Sequence, residues 1–322
     1  MNNVLFILML SIGSVAFGYF VKRMILALYS TKTQGLLDFS KKLKLITMFV
    51  INPIPILSSF WTFSFERQSL LFFPLIGILF TIVSALGTLI FIKVFSIESK
   101  KAASVFCSGM FSNIMTFGGL TAFILFGVEG YSLIQLFNLF IGPINYLVGY
   151  PMSYQISIGG SKSFKLSTKV FKSRPYVLIP ITALLIGMLF NTLGVKQPAL
   201  VPQLRSMLIP FVTGSMGVSI GLTLNLGRIT SYIKEIGVIF LIKFLVSPLV
   251  MAFIAYVFGL HTMMNGIPFK VTVIASAMPV AFNALIPPSI YGFDLDLANS
   301  AWVTTTLAFA VVLPILYVVL RI

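Results

Sequence analysis

The sequence predicts an all-α polytopic membrane protein of ten transmembrane helices, built as two five-helix halves of opposite orientation. Three observations predict it. The 322-residue chain is 58% hydrophobic and 9% charged, against about 25% charged residues in soluble domains, and its mean hydropathy is +1.05. Basic residues alternate between rich and poor loops along the chain. Two of the apolar stretches are interrupted by helix breakers beside an asparagine.

The spans follow in order, each needing about 20 apolar residues. The first runs from about 4 to 21 and ends at Lys22-Arg23. Residues 1–20 lack a basic n-region and a small-residue cleavage site, so they read as this span and not as a signal peptide. The second, 45–65, holds Asn52-Pro53 and Pro55; the third is 70–95. The fourth, 102–127, contains Ser112-Asn113 and Gly118-Gly119; the fifth, 131–156, contains Pro143. Residues 1–157 form the first half, a polar basic linker occupies 158–174, and 175–322 form the second half. There the sixth span is 175–193, and the seventh, 203–226, carries Pro210, Gly214, Gly217 and Gly221, with Gly227 just beyond. The eighth is 235–258, the ninth 268–291 and the tenth 297–320, with Pro314.

The loops check this count. Odd-numbered loops hold Lys22, Arg23, Lys32, Lys41, Lys42, Lys44, Lys93, Lys100, Lys101, Lys162, Lys165, Lys169, Lys172, Arg174, Arg228 and Lys234. Even loops and the C-terminus hold only Arg67, Lys196, Arg205, Lys270 and Arg321. Cytoplasmic loops are enriched in Lys and Arg, so the odd loops and the linker are placed inside and both termini outside. The net charge of +15 is thereby a topology signal, and no nucleic-acid partner is expected. Five spans, an inside linker and five more spans make an inverted repeat. Ser108-Gly109-Met110-Phe111 is echoed by Ser276-Ala277-Met278-Pro279, and both interrupted spans end at an aromatic-Gly pair, Phe126-Gly127 and Tyr291-Gly292.

The ninth span is apolar enough for a bilayer, yet it holds Pro279, Pro287, Pro288 and Asn283. Proline removes a backbone donor and clashes with the carbonyl four residues back, which rules against a continuous helix. In lipid, freed backbone groups must be paired with protein or line a wet cavity. Asn113 is the counterpart in the fourth span. One buried asparagine reads most simply as interhelical glue worth about 0.6–2 kcal/mol. Two, at matching places in inverted halves, read as substrate contacts, with Ser112 beside one of them and half-helix N-termini offering positive potential. Gly118, Gly119, Pro279, Pro287 and Pro288 are the expected helix breaks. Asn52 and the Pro210 region occupy matching places in spans two and seven and are candidates to face the same site, against a bland reading as proline kinks. Lys243 is the one basic residue well inside a span. It lies roughly 12 Å from the cytoplasmic end by helical rise. It reads either as a snorkelling lysine or as a counter-charge for an anion.

Absences narrow the chemistry. All seven acids, Asp38, Glu66, Glu98, Glu129, Glu235, Asp294 and Asp296, fall in loops or at span ends. No membrane carboxylate is therefore available to hold Na⁺ or relay protons. The single Cys107 excludes an internal disulfide and a Cys-based metal cluster. Asp294-x-Asp296 has no third ligand nearby and reads as the acidic start of a helix. No enzyme, cofactor or metal is expected.

At these residues the chain resembles the auxin efflux carrier family, which includes bacterial malate and malonate permeases. The matching pieces are Asn52-Pro53, Ser112-Asn113 with Phe117-Gly118, Pro210 through Gly221, and Met278-Pro279-x3-Asn283 with Tyr291-Gly292. The resemblance covers the whole chain. It implies that helices four and nine are broken and cross at the midplane, with the asparagines in the site. It further implies that a scaffold of spans one, two, six and seven faces a mobile core in an elevator-type transporter of organic anions. One departure is that family members carry a proline at the fourth-span break, where this chain reads Gly118-Gly119-Leu120-Thr121. The expected function is a permease for a small organic anion such as malate in the cell membrane. A homodimer is left open. The rival readings are a sodium- or proton-coupled symporter of another organic solute on the same fold, and a membrane sensor or channel.

Overall fold

The computed structural model describes residues 2–28, 33–63, 72–159, 178–224 and 229–322. Gly227, most of the linker (160–174) and the loop bases Lys32, Arg67, Lys162, Lys165, Lys169, Lys172, Arg174 and Arg228 lie outside the described residues. So does Glu66.

The regular structure of the described residues is all helical, with no strand beyond one isolated bridge pair. The helices are α1 (Asn2–Leu28), α2 (Gln34–Trp61) and α3 (Phe73–Val94), then α4 (Ser99–Met110). Next come α5 (Ile114–Ser157), α6 (Ile179–Thr192), α7 (Leu200–Thr223) and α8 (Ile229–Val257). The last are α9 (Ile267–Ser276), α10 (Ile286–Tyr291) and α11 (Leu295–Val319). Seven of them, α1, α2, α3, α5, α7, α8 and α11, are long and apolar enough to cross a membrane. The outward surface is correspondingly apolar: Phe17, Leu86, Phe253 and Val311 are all exposed. Such a surface is stable against lipid and not against water. The protein is a multi-pass α-helical membrane protein.

Several boundaries differ from the sequence reading for local reasons. α2 begins well before residue 45, taking in Lys41, Lys42 and Lys44 as helix. Lys41 and Lys42 stay exposed while Ser40 is buried, its Oγ donating to Ser219 O at 2.7 Å. This first part of α2 is amphipathic, so a polar run reads as loop although its buried face is helical. α5 is 44 residues long, about twice a bilayer crossing. It folds back at Gly127, where φ is +65°. A side chain is disfavoured in that region and glycine is not. Gly292 after α10 does the same with φ +70°.

The chain packs as two compact units, and neither is a sequence half. The first comprises Met1–Leu70, Gly119–Gln135 and Tyr176–Asn225; the second comprises Leu71–Gly118, Leu136–Pro175 and Leu226–Ile322. In the first unit α1 and α7 meet through small residues. A Cβ on Gly18 would collide with the Val218 carbonyl, one on Gly217 with Ser14, and one on Gly221 with the Val15 carbonyl. Without a hydrophobic drive between helices in lipid, such close backbone approach supplies the packing energy. Gly217 therefore serves the α1 seam, whereas Gly214 has only Leu10 Cδ2, at 3.8 Å, near its would-be Cβ. Gly217→Leu is expected to lower the detergent-solubilised melting temperature, at a cost of about 1–3 kcal/mol from overpacking. Gly214→Ala should leave it near wild type.

In the second unit α4 packs on α3 where Gly109 meets Thr88, and Gly149 of α5 lies against the Phe111 ring. Phe117 and Phe309 stack at 5.8 Å between centroids. Asp294 caps α11, its carboxylate accepting from Leu297 N at 2.9 Å and from the Tyr232 hydroxyl at 3.0 Å. The first bond is a helix cap, and the second ties Tyr232 of α8 to it. Asp294→Ala is expected to cost about 1 kcal/mol of stability, read as a small drop in melting temperature.

Candidate functional site

The second unit contains a crossing of two broken helices. α4 ends at Met110, and the chain is extended through 111–113 before the π-helical turn Ile114–Gly118 that opens α5. α9 ends at Ser276, and the chain is again extended near 278–281 before the turn Phe282–Leu285 that leads into α10. The two breaks run antiparallel, with Ser112 facing Val280. Asn113 N donates to Pro279 O at 2.9 Å, and Ala281 N donates to Phe111 O at 3.0 Å. Val280 N reaches Thr305 Oγ1 of α11 at 3.2 Å. Each break thus gives one backbone donor to the other, part of the pairing that a membrane interior requires.

This geometry relocates two expected breaks. Gly118 and Gly119 are not at the fourth-span break. Gly118 has helical φ/ψ of −63° and −43°, and α5 continues through both. The break lies at 111–113, where no proline is needed because the partner segment supplies the hydrogen bonds that a helix would have made. Ser112 and Asn113 also favour non-helical local bonding. Pro279 lies within the other break, removing a donor and biasing Met278 toward extended backbone. Pro287 and Pro288 sit in the first turn of α10, where missing N–H groups leave no bond unmade. They start a helix and do not interrupt one.

The crossing gathers polar side chains at depth. Ser112 and Asn113 are buried, and Thr116 Oγ1 donates to Asn113 Oδ1. Lys243 is completely buried, and its Nζ donates to Ser112 Oγ at 2.6 Å. The sequence left this lysine between snorkelling and a counter-charge for an anion; its burial and this bond show that it does not snorkel. Lys243 lies in a π-helical turn of α8, Ile242–Val246, a distortion that recurs at functional positions. The one ion pair among the described residues is Lys101–Glu235, so Lys243 has no carboxylate partner there. Asn283 has its main-chain oxygen bonded by the Tyr150 hydroxyl at 3.3 Å. Its Oδ1 is buried with no hydrogen-bond partner among the described residues. A buried polar atom left unpaired costs about 1–3 kcal/mol, and in a native fold it asks for a reason such as a ligand.

Asn52 belongs to the first unit, where it ends a π-helical turn and accepts from the Tyr131 hydroxyl at 3.5 Å. Thr116, Thr305 and Tyr150 escaped the sequence reading. For Thr305 a signal was present, the run Thr304-Thr305-Thr306 inside an apolar span. Thr116 and Tyr150 carry none.

Comparison with known proteins points to membrane transport. A family model described as membrane transport protein matches residues 161–317. An uncharacterized transporter of Methanothermobacter thermautotrophicus is 30% identical over 144 residues, which are 44% of this chain and 45% of that protein. The match thus spans less than half of that relative. The uncharacterized transporter MJ1031 of Methanocaldococcus jannaschii is 24% identical over 298 residues, covering 90% of this chain and 93% of the relative. Over residues 161–317 the chain is thus similar to the membrane transport protein family, and both relatives it matches are named as transporters.

Proposed function

We propose that the protein is a secondary transporter that moves a small organic anion, such as malate or another carboxylate, across the cell membrane by alternating access. One observation carries this reading. The crossing in the second unit holds a fully buried lysine with no carboxylate partner among the described residues, and it lies on the same paired breaks as Asn113. A buried cation lacking a resident counter-charge is costly, and a visiting carboxylate supplies one. In this reading Lys243 and Ser112 face the carboxylate, Asn113 and Asn283 orient the rest of the anion, and the N-terminal turn of α5 adds positive potential.

An elevator-type motion is supported by unit composition. The first unit gathers spans one, two, six and seven, the set that the resemblance assigns to a scaffold, together with residues 119–135. The inverted repeat is supported by two breaks that each lead to an aromatic-Gly pair with positive φ at Gly127 and Gly292. In this orientation both termini are outside. The test is uptake of radiolabelled malate into proteoliposomes, with a thermal-shift screen across organic acids to place malate within its class. Saturable uptake at carrier rates is expected; ohmic current at channel rates overturns the carrier reading.

A further inference from the structure

A second buried cation lies in the first unit, where the sequence alone counted it with the loops. Arg205 is in the second turn of α7 and is 8% exposed. Its Nη1 donates to Ser58 O at 3.2 Å and to Ser58 Oγ at 3.3 Å. Gln197 Nε2 donates to the same two atoms, at 2.9 Å and 3.3 Å. Ser58 lies in the last turn of α2, so one nitrogen of the guanidinium caps a helix C-terminus. Capping occupies only that nitrogen. Nε and Nη2 make no hydrogen bond among the described residues, and no carboxylate pairs with Arg205 there.

The surroundings are polar in a matching way. The Tyr131 hydroxyl is an electrostatic neighbour of Arg205 and bonds Asn52 Oδ1. One helical turn on, Gln135 is 4% exposed and its Nε2 has no partner among the described residues. Gly119 faces both, its would-be Cβ lying 3.5 Å from Tyr131 Cε2 and 3.6 Å from Gln135 Nε2. Ordinary packing does not leave a buried amide donor such as that of Gln135 unsatisfied, and the Nε–Nη2 edge of Arg205 has no protein hydrogen bond among the described residues to compete with a ligand. A planar two-oxygen anion fits the Nε–Nη2 edge side-on, the geometry that makes arginine a carboxylate reader where lysine is only a point charge.

We propose that Arg205, with Tyr131 and Gln135, forms a second binding station for a small carboxylate in the first unit, separate in residues from the crossing of the second unit. The station rests on the reading that carboxylates are the cargo class. Arg205 takes the carboxylate on its Nε–Nη2 edge, and Gln135 donates to it. By the proposed orientation the start of α7 is on the outer side, so the station is loaded from external anion.

Equilibrium dialysis of radiolabelled malonate against the purified full-length protein tests this. Wild type is expected to bind two malonates per chain. Arg205→Gln is expected to bind one, with Arg205→Lys retaining the second at least 10-fold more weakly and both variants eluting as wild type on size exclusion. Asn113→Ala/Asn283→Ala is expected to lose the other malonate and keep the one that depends on Arg205. A single wild-type site that Arg205→Gln leaves intact and the asparagine pair abolishes overturns this station while sparing the crossing. A stoichiometry unchanged by the asparagine pair but lowered by Arg205→Gln supports the station and overturns the crossing as a carboxylate site. No malonate bound by wild type overturns both.

Discussion

Asn283→Ala is expected to lower malate uptake in proteoliposomes by about 2- to 12-fold in kcat/KM, the equivalent of losing one neutral hydrogen bond, donated by the malate hydroxyl to Asn283 Oδ1, at about 0.5–1.5 kcal/mol. The same change is expected to leave the melting temperature within the range of a neutral substitution, about 0.5 kcal/mol. The two expectations come from one fact: Asn283 Oδ1 is buried and makes no hydrogen bond among the described residues. Removing an acceptor that holds nothing in the empty protein sacrifices no folding contact. The Tyr150 bond is to the main-chain oxygen and survives truncation of the side chain. Asn113 makes the contrast. Its Oδ1 already accepts from Thr116, so Asn113→Ala is expected to reduce both uptake and stability. Unaltered uptake by Asn283→Ala, with the protein folded, would remove Asn283 from the binding site. A fall in uptake that merely follows a fall in melting temperature would make it a structural residue.

How much of this was legible in the chain depends on whether the cause was local. Composition acts residue by residue, and it gave away the membrane and the helical class. The ninth-span break was visible because Pro279 carries its own cause. The fourth-span break was misplaced by several residues, onto Gly118-Gly119, because its cause is not in its own segment. Phe111 to Asn113 leave the helix to pair with Pro279 to Ala281, and no local propensity announces a partner so distant in sequence. The prolines at 287 and 288 misled in the opposite sense, since in the first turn of a helix proline is a starter. Lys243 and Arg205 share a further blindness. Hydropathy places a charged residue along a helix but not around it. Whether it snorkels or turns inward is decided by neighbours on other helices, Ser112 for one and Ser58 for the other. Tyr150 and Thr305 were missed for the same reason, as both act on a break in a different helix.

The largest effect is expected at Lys243. At an effective dielectric constant of 20, a unit positive and a unit negative charge 4 Å apart attract by about 4 kcal/mol. Lys243→Met should therefore reduce malate uptake by about 100- to 1000-fold in kcat/KM. Stability should move the other way. Lys243 is completely buried with one hydrogen bond, to Ser112 Oγ, and replacing a buried charge by an apolar side chain of similar volume is neutral or stabilising by about 1–4 kcal/mol. Opposite signs in uptake and melting temperature separate a binding lysine from a structural one. A lysine that merely ties α8 to the crossing through Ser112 gives lower values of both. Ser112→Ala sharpens the test, because it deletes the oxygen that Lys243 holds while leaving the charge. If the charge itself receives the anion, Ser112→Ala is expected to reduce uptake about 10-fold at most, well short of Lys243→Met. If the two substitutions reduce uptake equally, the hydrogen bond and not the charge is what the site uses, and the anion assignment loses its main support. Lys243→Arg completes the series: the charge is kept, but a larger planar group must fit a site with no exposed surface, so partial uptake at reduced stability is the expected result.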